Sequence, residues 1–441
     1  MPFQFHSARF ETPGSPADKV ITGVGFQPKL LIIWACSADV DVFDVDYVIN
    51  MGFASSSDTA KQRSFTVAMS DNSAVADAQS AWHTSAVFTD GFAGALGVGT
   101  LKSFDADGFT LNWNGFSSNW ETGFLAMGGT DMTNATVGHF NAPSSTGLHQ
   151  VTGLGFLPDF VFLLGTSHTT DNEIAFGPCN ISFGVMNGVG EQAVSSNMSI
   201  DDVTTMDTAR YQRTDKCLAI FNSTNSAALT HEAAFSTMDN DGFTLNFTTA
   251  SGANKRVAYA AFQGPQTKIT SMTTPIAGAL PLSLPTTGLG LAPKAIILPS
   301  VDKTASSSIV TNSRFTIGGS GNPDNQWTTW TGSSDATANA VCAARCDSTK
   351  ILRLATEAAA AGSSTTQALA SLESLDEDGF TLNYTVIDAA NAYEVIVIAF
   401  ADAEAPEPIT SAISSTSMQS LPLRTLGCDI ADQDYIETVH V

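Results

Sequence analysis

The chain has 441 residues, long enough for about three domains, and carries 19 Lys and Arg against 43 Asp and Glu for a formal charge of −24. A field of that sign repels phosphate backbones and anionic lipid, which excludes nucleic acid and membrane surfaces as partners, and no apolar run reaches the roughly 18 residues of a membrane span. The first residues, Met-Pro-Phe-Gln-Phe-His, lack a basic n-region and an apolar h-region, so no secretory signal is expected; six scattered cysteines predict free thiols rather than a disulfide scaffold.

In chain order, the first signature is Thr22-Gly23-Val24-Gly25-Phe26-Gln27-Pro28-Lys29. A proline ends the run and an apolar strand, Leu30 to Trp34, follows, whereas a dinucleotide loop would open a helix. The strand is apolar at consecutive positions, which predicts burial on both faces. Next comes Asp39-Val40-Asp41-Val42-Phe43-Asp44-Val45-Asp46. Asp39, Asp41, Asp44 and Asp46 alternate with apolar residues, and two readings stand: a solvated strand edge protected by charge, or a calcium site, since clustered hard oxygens suit that ion. Calcium is the one cofactor the sequence admits.

Asp107-Gly108-Phe109-Thr110-Leu111-Asn112 then reads as a tight turn feeding a strand, with Phe109 and Leu111 inward. The upstream Asp105 completes Asp-x-Asp-Gly, but an apolar strand stands where a calcium loop would place further oxygen ligands, so the turn reading is preferred. The copy closes on the apolar strand Gly123 to Met127.

The whole series then recurs. Thr152-Gly153-Leu154-Gly155-Phe156-Leu157-Pro158-Asp159 and Thr287-Gly288-Leu289-Gly290-Leu291-Ala292-Pro293-Lys294 repeat the first signature, and Asp241-Gly242 and Asp378-Gly379 each open another Phe-Thr-Leu-Asn. The turn glycines lie about 135 residues apart, the period of a domain rather than of a solenoid unit. Between the signatures, Arg63 to Ser70 aligns with Asn180 to Asn187 and Ser313 to Ser320, and Ala209-Arg210 aligns with Ala344-Arg345. Thr356 to Gln367 holds four consecutive alanines and reads as a loop insertion between strands. Ala403 to Pro408 is a stiff Pro-rich linker, and 409-441 carries no repeat signature.

The predicted fold is all-β: three tandem antiparallel β-sandwich, jelly-roll-like modules over 1-133, 134-268 and 269-402, then a linker and C-terminal assembly arm over 403-441. No serine-nucleophile elbow, zinc-protease helix motif or P-loop is present, and no histidine recurs in all three copies, so no enzyme activity is expected. Trp82, Trp120, Trp327 and Trp330 sit among Ser, Asn and Thr, and are candidate surface aromatics for stacking on a sugar ring or a partner subunit.

The pairing of Thr-Gly-x-Gly-Phe-x-Pro-Asp and its apolar strand with a later Asp-x-Asp-Gly-Phe-Thr-Leu resembles a β-sandwich module of tailed-bacteriophage virion proteins. The second copy is most similar, through Gly155-Phe156-Leu157-Pro158-Asp159-Phe160-Val161-Phe162; the first has Lys29 for the acid, and the third has Leu291 for Phe and Lys294 for Asp. The resemblance covers residues 1 to about 402. It implies a structural or host-contacting role on the exposed part of a virion, tail, appendage or capsid decoration, with other virion proteins, further copies of the chain, and a host glycan or receptor as partners. A carbohydrate-binding adhesin is the alternative.

Overall fold

The computed structural model describes residues 2–403, apart from 72, 74–76, 93–94, 115–119, 177–178, 201–204, 223–227, 305–307 and 358–363. The assembly arm expected over 403-441 therefore lies, from 404 onward, outside the described residues, as do the four alanines of 358–361.

The first copy is built from β1 (Phe3–Glu11), β2 (Ala17–Thr22), β3 (Pro28–Cys36), β4 (Asp44–Val45), β5 (Tyr47–Ala54), β6 (Gln62–Met69), β7 (Ala78–His83), β8 (Phe88–Phe92), β9 (Ala95–Asp105), β10 (Gly108–Asn114) and β11 (Glu121–Gly129). Two antiparallel layers result, one in the order β1-β11-β3-β5-β6-β7 and one in the order β2-β10-β9-β8. The second and third copies repeat both orders strand for strand. The four-stranded layers are closed sets, but each larger layer takes a seventh strand from another copy. Glu173–Phe176 of the second copy pairs with β7 of the first, Val310–Thr311 of the third with Thr208–Arg213 of the second, and β4 of the first with Cys342–Asp347 of the third. The exchange is cyclic, so the three sandwiches form a closed ring with pseudo-threefold order.

The apolar strands explain why. In β3, Leu31, Ile33 and Ala35 enter the core between the two layers of their own sandwich, while Leu30, Ile32, Trp34 and Cys36 enter a second core shared by all three copies. Val161 and Leu163 against Phe160, Phe162 and Leu164 repeat the division, as do Ile296 and Leu298 against Ala295 and Ile297. Aromatic rings from different copies meet in the shared core: Phe53 with Phe162 at 6.2 Å, Phe160 with Phe400 at 5.3 Å and Phe3 with Phe400 at 6.2 Å. A copy on its own would expose that whole inner face, far beyond the few hundred Å² a soluble surface tolerates. Residues Met1–Ala403 accordingly form one compact unit. The copies are repeats of one body rather than separate domains.

The two sequence signatures meet in space. Asp107 accepts the backbone N–H of Gly23 at 3.0 Å and of Gly25 at 2.6 Å; Asp241 does the same for Gly153 and Gly155, and Asp378 for Gly288 and Gly290. These amide bonds hold the Asp107 carboxyl below its ordinary range. The first acid of the motif is also engaged: Asp105 accepts the hydroxyls of Ser103 and Thr110, each at 2.7 Å. The glycine is demanded less by the turn than by a close approach, because a Cβ on Gly108 (φ 149°) would lie 2.0 Å from the Ile21 carbonyl oxygen.

The alignment of the copies needs two corrections. Asn180–Asn187 and Ser313–Ser320 occupy the place of β5, not of β6, so Arg63 to Ser70 is one strand out of step. Arg210 and Arg345 are likewise one residue apart in register, since Ser199 pairs with Thr208 and Ser333 with Cys342. A one-residue slip moves a side chain to the other face of its sheet.

Candidate functional site: the seams between modules

Where the sheets exchange strands, polar and charged side chains collect. At the first seam, β7 and the Glu173–Phe176 arm bring Ser80, His168 and Glu173 together. His168 Nε2 lies 3.0 Å from Ser80 Oγ and its Nδ1 lies 3.3 Å from Glu173 Oε2. The arrangement has the order of a nucleophile, base and orienting acid. Ser80 and His168 are both buried, however, and Ser80 sits mid-strand between Val67 and Ala175, with its backbone in a ladder on each side. What the three groups do there is join β7 to the arm. Beside them, Arg63 donates from Nε to His139 Nδ1 at 3.0 Å, and Asp171 takes Arg256 at 2.8 Å and the Trp82 indole N–H at 3.3 Å.

At the second seam, Gln212 of the second copy donates to the Glu394 carbonyl and accepts from the Val301 N–H, and Asn197 donates to Ser313 Oγ at 2.8 Å. Arg210 donates to the carbonyls of Thr311 and Asn312. Asp302 (φ 52°) is wholly buried here; it accepts the Trp330 indole N–H at 3.3 Å, and burial pushes its carboxyl up to about 6 against the pull of Arg314 and Arg210.

The third seam holds the acidic stretch of the first copy. Asp44 and Val45 form the exchanged strand itself, Asp41 accepts the N–H and hydroxyl of Ser348, and Asp46 accepts the N–H of Asp71, whose own carboxylate accepts the N–H of Cys342. Asp39 is exposed. Burial raises the Asp44 carboxyl, and Asp39 and Asp46 add to that, yet no group of three or more His, Cys, Asp or Glu suited to a metal ion occurs among the described residues. The calcium reading of Asp39, Asp41, Asp44 and Asp46 is thus replaced: three of these carboxylates bind backbone and hydroxyl donors within and across the seam. Phe43 completes the contact, with Arg345 and Arg353 at 4.9 and 5.3 Å from its ring and Trp330 edge-on at 5.8 Å.

The tryptophans are corrected too. Trp82, Trp120, Trp327 and Trp330 are 1, 6, 0 and 0 % exposed, so none offers a surface platform. Trp327 and Trp330 stand on Gln326–Ser333, whose threonines Thr328, Thr329 and Thr331 are themselves buried, so local polarity does not mean solvent. Trp327 fills the hollow at Gly123 of the first copy, where a Cβ would stand 2.0 Å from the indole ring.

One recurring residue escaped sequence reading. Gln62, Gln192 and Gln326 occupy the same place at the start of the β6-type strand. Gln62 accepts the Leu101 N–H at 2.8 Å and donates to the Leu101 carbonyl at 3.0 Å; Gln326 does both for Leu372, and Gln192 accepts from Phe235. Each partner flanks a bulge in the four-stranded layer, where the ladder leaves its backbone groups free. The signal was a glutamine as the first residue of the strand in every copy, without a motif around it.

In comparison with known proteins, the chain matches no family model and no curated protein sequence. No helix among the described residues is long and apolar enough to cross a membrane.

Proposed function

We propose that the chain is a structural component of a tailed-phage virion, on the tail or another exposed appendage, acting through protein contacts in assembly or host attachment. One observation carries the reading furthest: the groups most suggestive of chemistry, Ser80, His168 and Glu173 and the acidic stretch at Asp39 to Asp46, are occupied in joining three sandwiches into one body. Rigid assembly is what such a design serves. The resemblance of the repeated signatures to phage virion modules supplies the location, and the charge of −24 disfavours contact with packaged DNA. Three similar outer faces suit a threefold or multivalent site on a particle or host.

A capsid decoration protein is the rival placement. The adhesin reading is weakened because its candidate aromatics are buried. The deciding experiment locates the chain in purified particles by electron microscopy. Density on the tail supports the proposal and density on every capsomer supports the rival. Recovery only as a sugar-eluting protein from particle-free cells would reject both. As a companion test, a fluorophosphonate probe is expected to leave Ser80 unlabelled in the folded protein; stoichiometric labelling would revive an enzymatic reading.

A further inference from the structure

Six histidines are described, and only His139 and His168 make side-chain bonds across a seam, both at the first. His139 stands on Asn134–Ala142 and accepts from Arg63 Nε, so its Nδ1 carries no proton in the closed ring. Arg63 cannot easily turn away, because its Nη1 points its two hydrogens into the carbonyls of Ala60, Gln62 and Thr84, at 3.1, 2.6 and 2.6 Å. Arg256 approaches from Lys255–Gln263, and the one carboxylate near the ring, Asp171 at 3.7 Å from Nε2, is already shared with Arg256 and Trp82. Asp58 acts on Arg63 from further off. A proton on His139 would therefore break the Arg63 bond and set a third cation beside two guanidiniums.

His168 faces Ser80 on β7, Glu173 on the arm, Lys255 on the adjoining strand, and the edge of Phe65 on β6 at 5.7 Å. Glu173 favours its protonation, while burial and Lys255 oppose it.

We propose that the first seam is an acid-released latch: protonation of His139 and His168 detaches the Glu173–Phe176 arm from β7 and opens the ring there, while the other two seams stay closed. Burial holds both imidazoles below the ordinary histidine value, so the stabilisation they give is complete above about 6.5 and is lost as the pH falls below it. Asp302 at the second seam responds in the opposite sense. Its raised carboxyl takes up its proton more readily folded than unfolded, so the same acidification favours the closed state there. Opening the first seam would part Phe53 from Phe162 and present an apolar face that is covered at neutral pH.

The test is hydrogen exchange by mass spectrometry on the full chain at pH 7.5 and 5.0, corrected for intrinsic rates. Peptides over 78–84 and 168–176 are expected to lose at least about tenfold in protection at pH 5.0, with 208–213, 310–312 and 342–347 within about twofold of their neutral values. In a variant carrying His139→Gln and His168→Gln the difference should vanish. Equal loss at all three seams, or an acid response that persists in the double variant, overturns the proposal; should that variant not fold, the three-seam comparison in the natural chain still decides.

Discussion

Gly52, Gly184 and Gly318 occupy one position in the three copies, each two residues from the pairing partner of its bulge-capping glutamine. Here the backbone of one layer closely approaches that of the other. A Cβ on Gly52 would lie 1.7 Å from the Val87 carbonyl oxygen; on Gly184 it would lie 1.7 Å from that of Cys217, and on Gly318 1.9 Å from that of Ile351. Separations under 3.0 Å essentially do not occur for real Cβ atoms, and the obstacle is backbone, which has no rotamer to change. Gly52→Ala must therefore push β8 off β5 by more than about 1 Å, loosening the contact of Phe88 with Trp113, now at 4.6 Å. Overpacking of this kind costs about 1–3 kcal/mol, and a shift of a whole strand places this case near 3 kcal/mol or above. The measurement is the urea midpoint followed by tryptophan fluorescence at unchanged slope, with Gly188→Ala as the control, since its nearest atom is 3.7 Å away and surface changes stay within about 0.5 kcal/mol. Equal midpoints for the two variants would refute the close-approach argument.

Gln62→Leu keeps the volume but strands the N–H and C=O of Leu101, at about 1–3 kcal/mol for each buried group; exchange of the Leu101 amide should accelerate, and an unchanged rate would contradict the assigned role. His231 is buried beside Lys255, and burial first, then that charge, lowers its imidazole to about 4. Stability should fall as the pH drops from about 6.5 toward 4, by about 2 kcal/mol for this residue once solvent screening is allowed for, and His231→Gln should flatten that part of the pH profile. The N–H groups of Phe3 and Ala403 both donate to Asp131 Oδ2, at 3.2 and 2.9 Å, so the two ends of the ring are neighbours. A circular permutant that joins 403 to 2 through a short Gly linker and opens at Gly264–Pro265 should melt within a few degrees of the natural order; a molten product would show that the ring depends on its present break.

The strands buried on both faces and the repeated turn were legible because their cause is local: consecutive apolar residues in β3, and an acid whose amide partners are themselves a motif. The tryptophans were not, since Trp327 and Trp330 stand among threonines that are themselves buried between layers. The exchanged strands were invisible for another reason. Asp44–Val45 and Val310–Thr311 are two residues long, too short for any alternation, and β4 even carries an acid. Misplacing Arg63 by one strand followed from matching Phe-Thr-Val to Phe-Gly-Val, a pattern any half-buried strand can supply; the glutamines and close-approach glycines, fixed by contacts between layers, give the correct register.

The exchanged strands bind through backbone hydrogen bonds, which are indifferent to side-chain identity. Once that ladder fixed three seams in one geometry, the side chains around each were free to diverge, and they have: histidines, arginines and a shared aspartate at the first, a buried carboxylate at the second, acids and a cation-clasped Phe43 at the third. Three identical subunits related by an exact axis could not do this, because any change in one interface would appear in all. A single chain with three copies keeps the geometry of a trimer while allowing one seam to be weaker, or differently switched, than the others. Among the described residues only the first seam is built on histidine, and it is also the seam with the longest exchanged strand, Glu173–Phe176 against two-residue strands at the other two. More backbone pairing there offsets a side-chain set that tolerates acid poorly, which is what a joint that must hold at neutral pH and part below it requires.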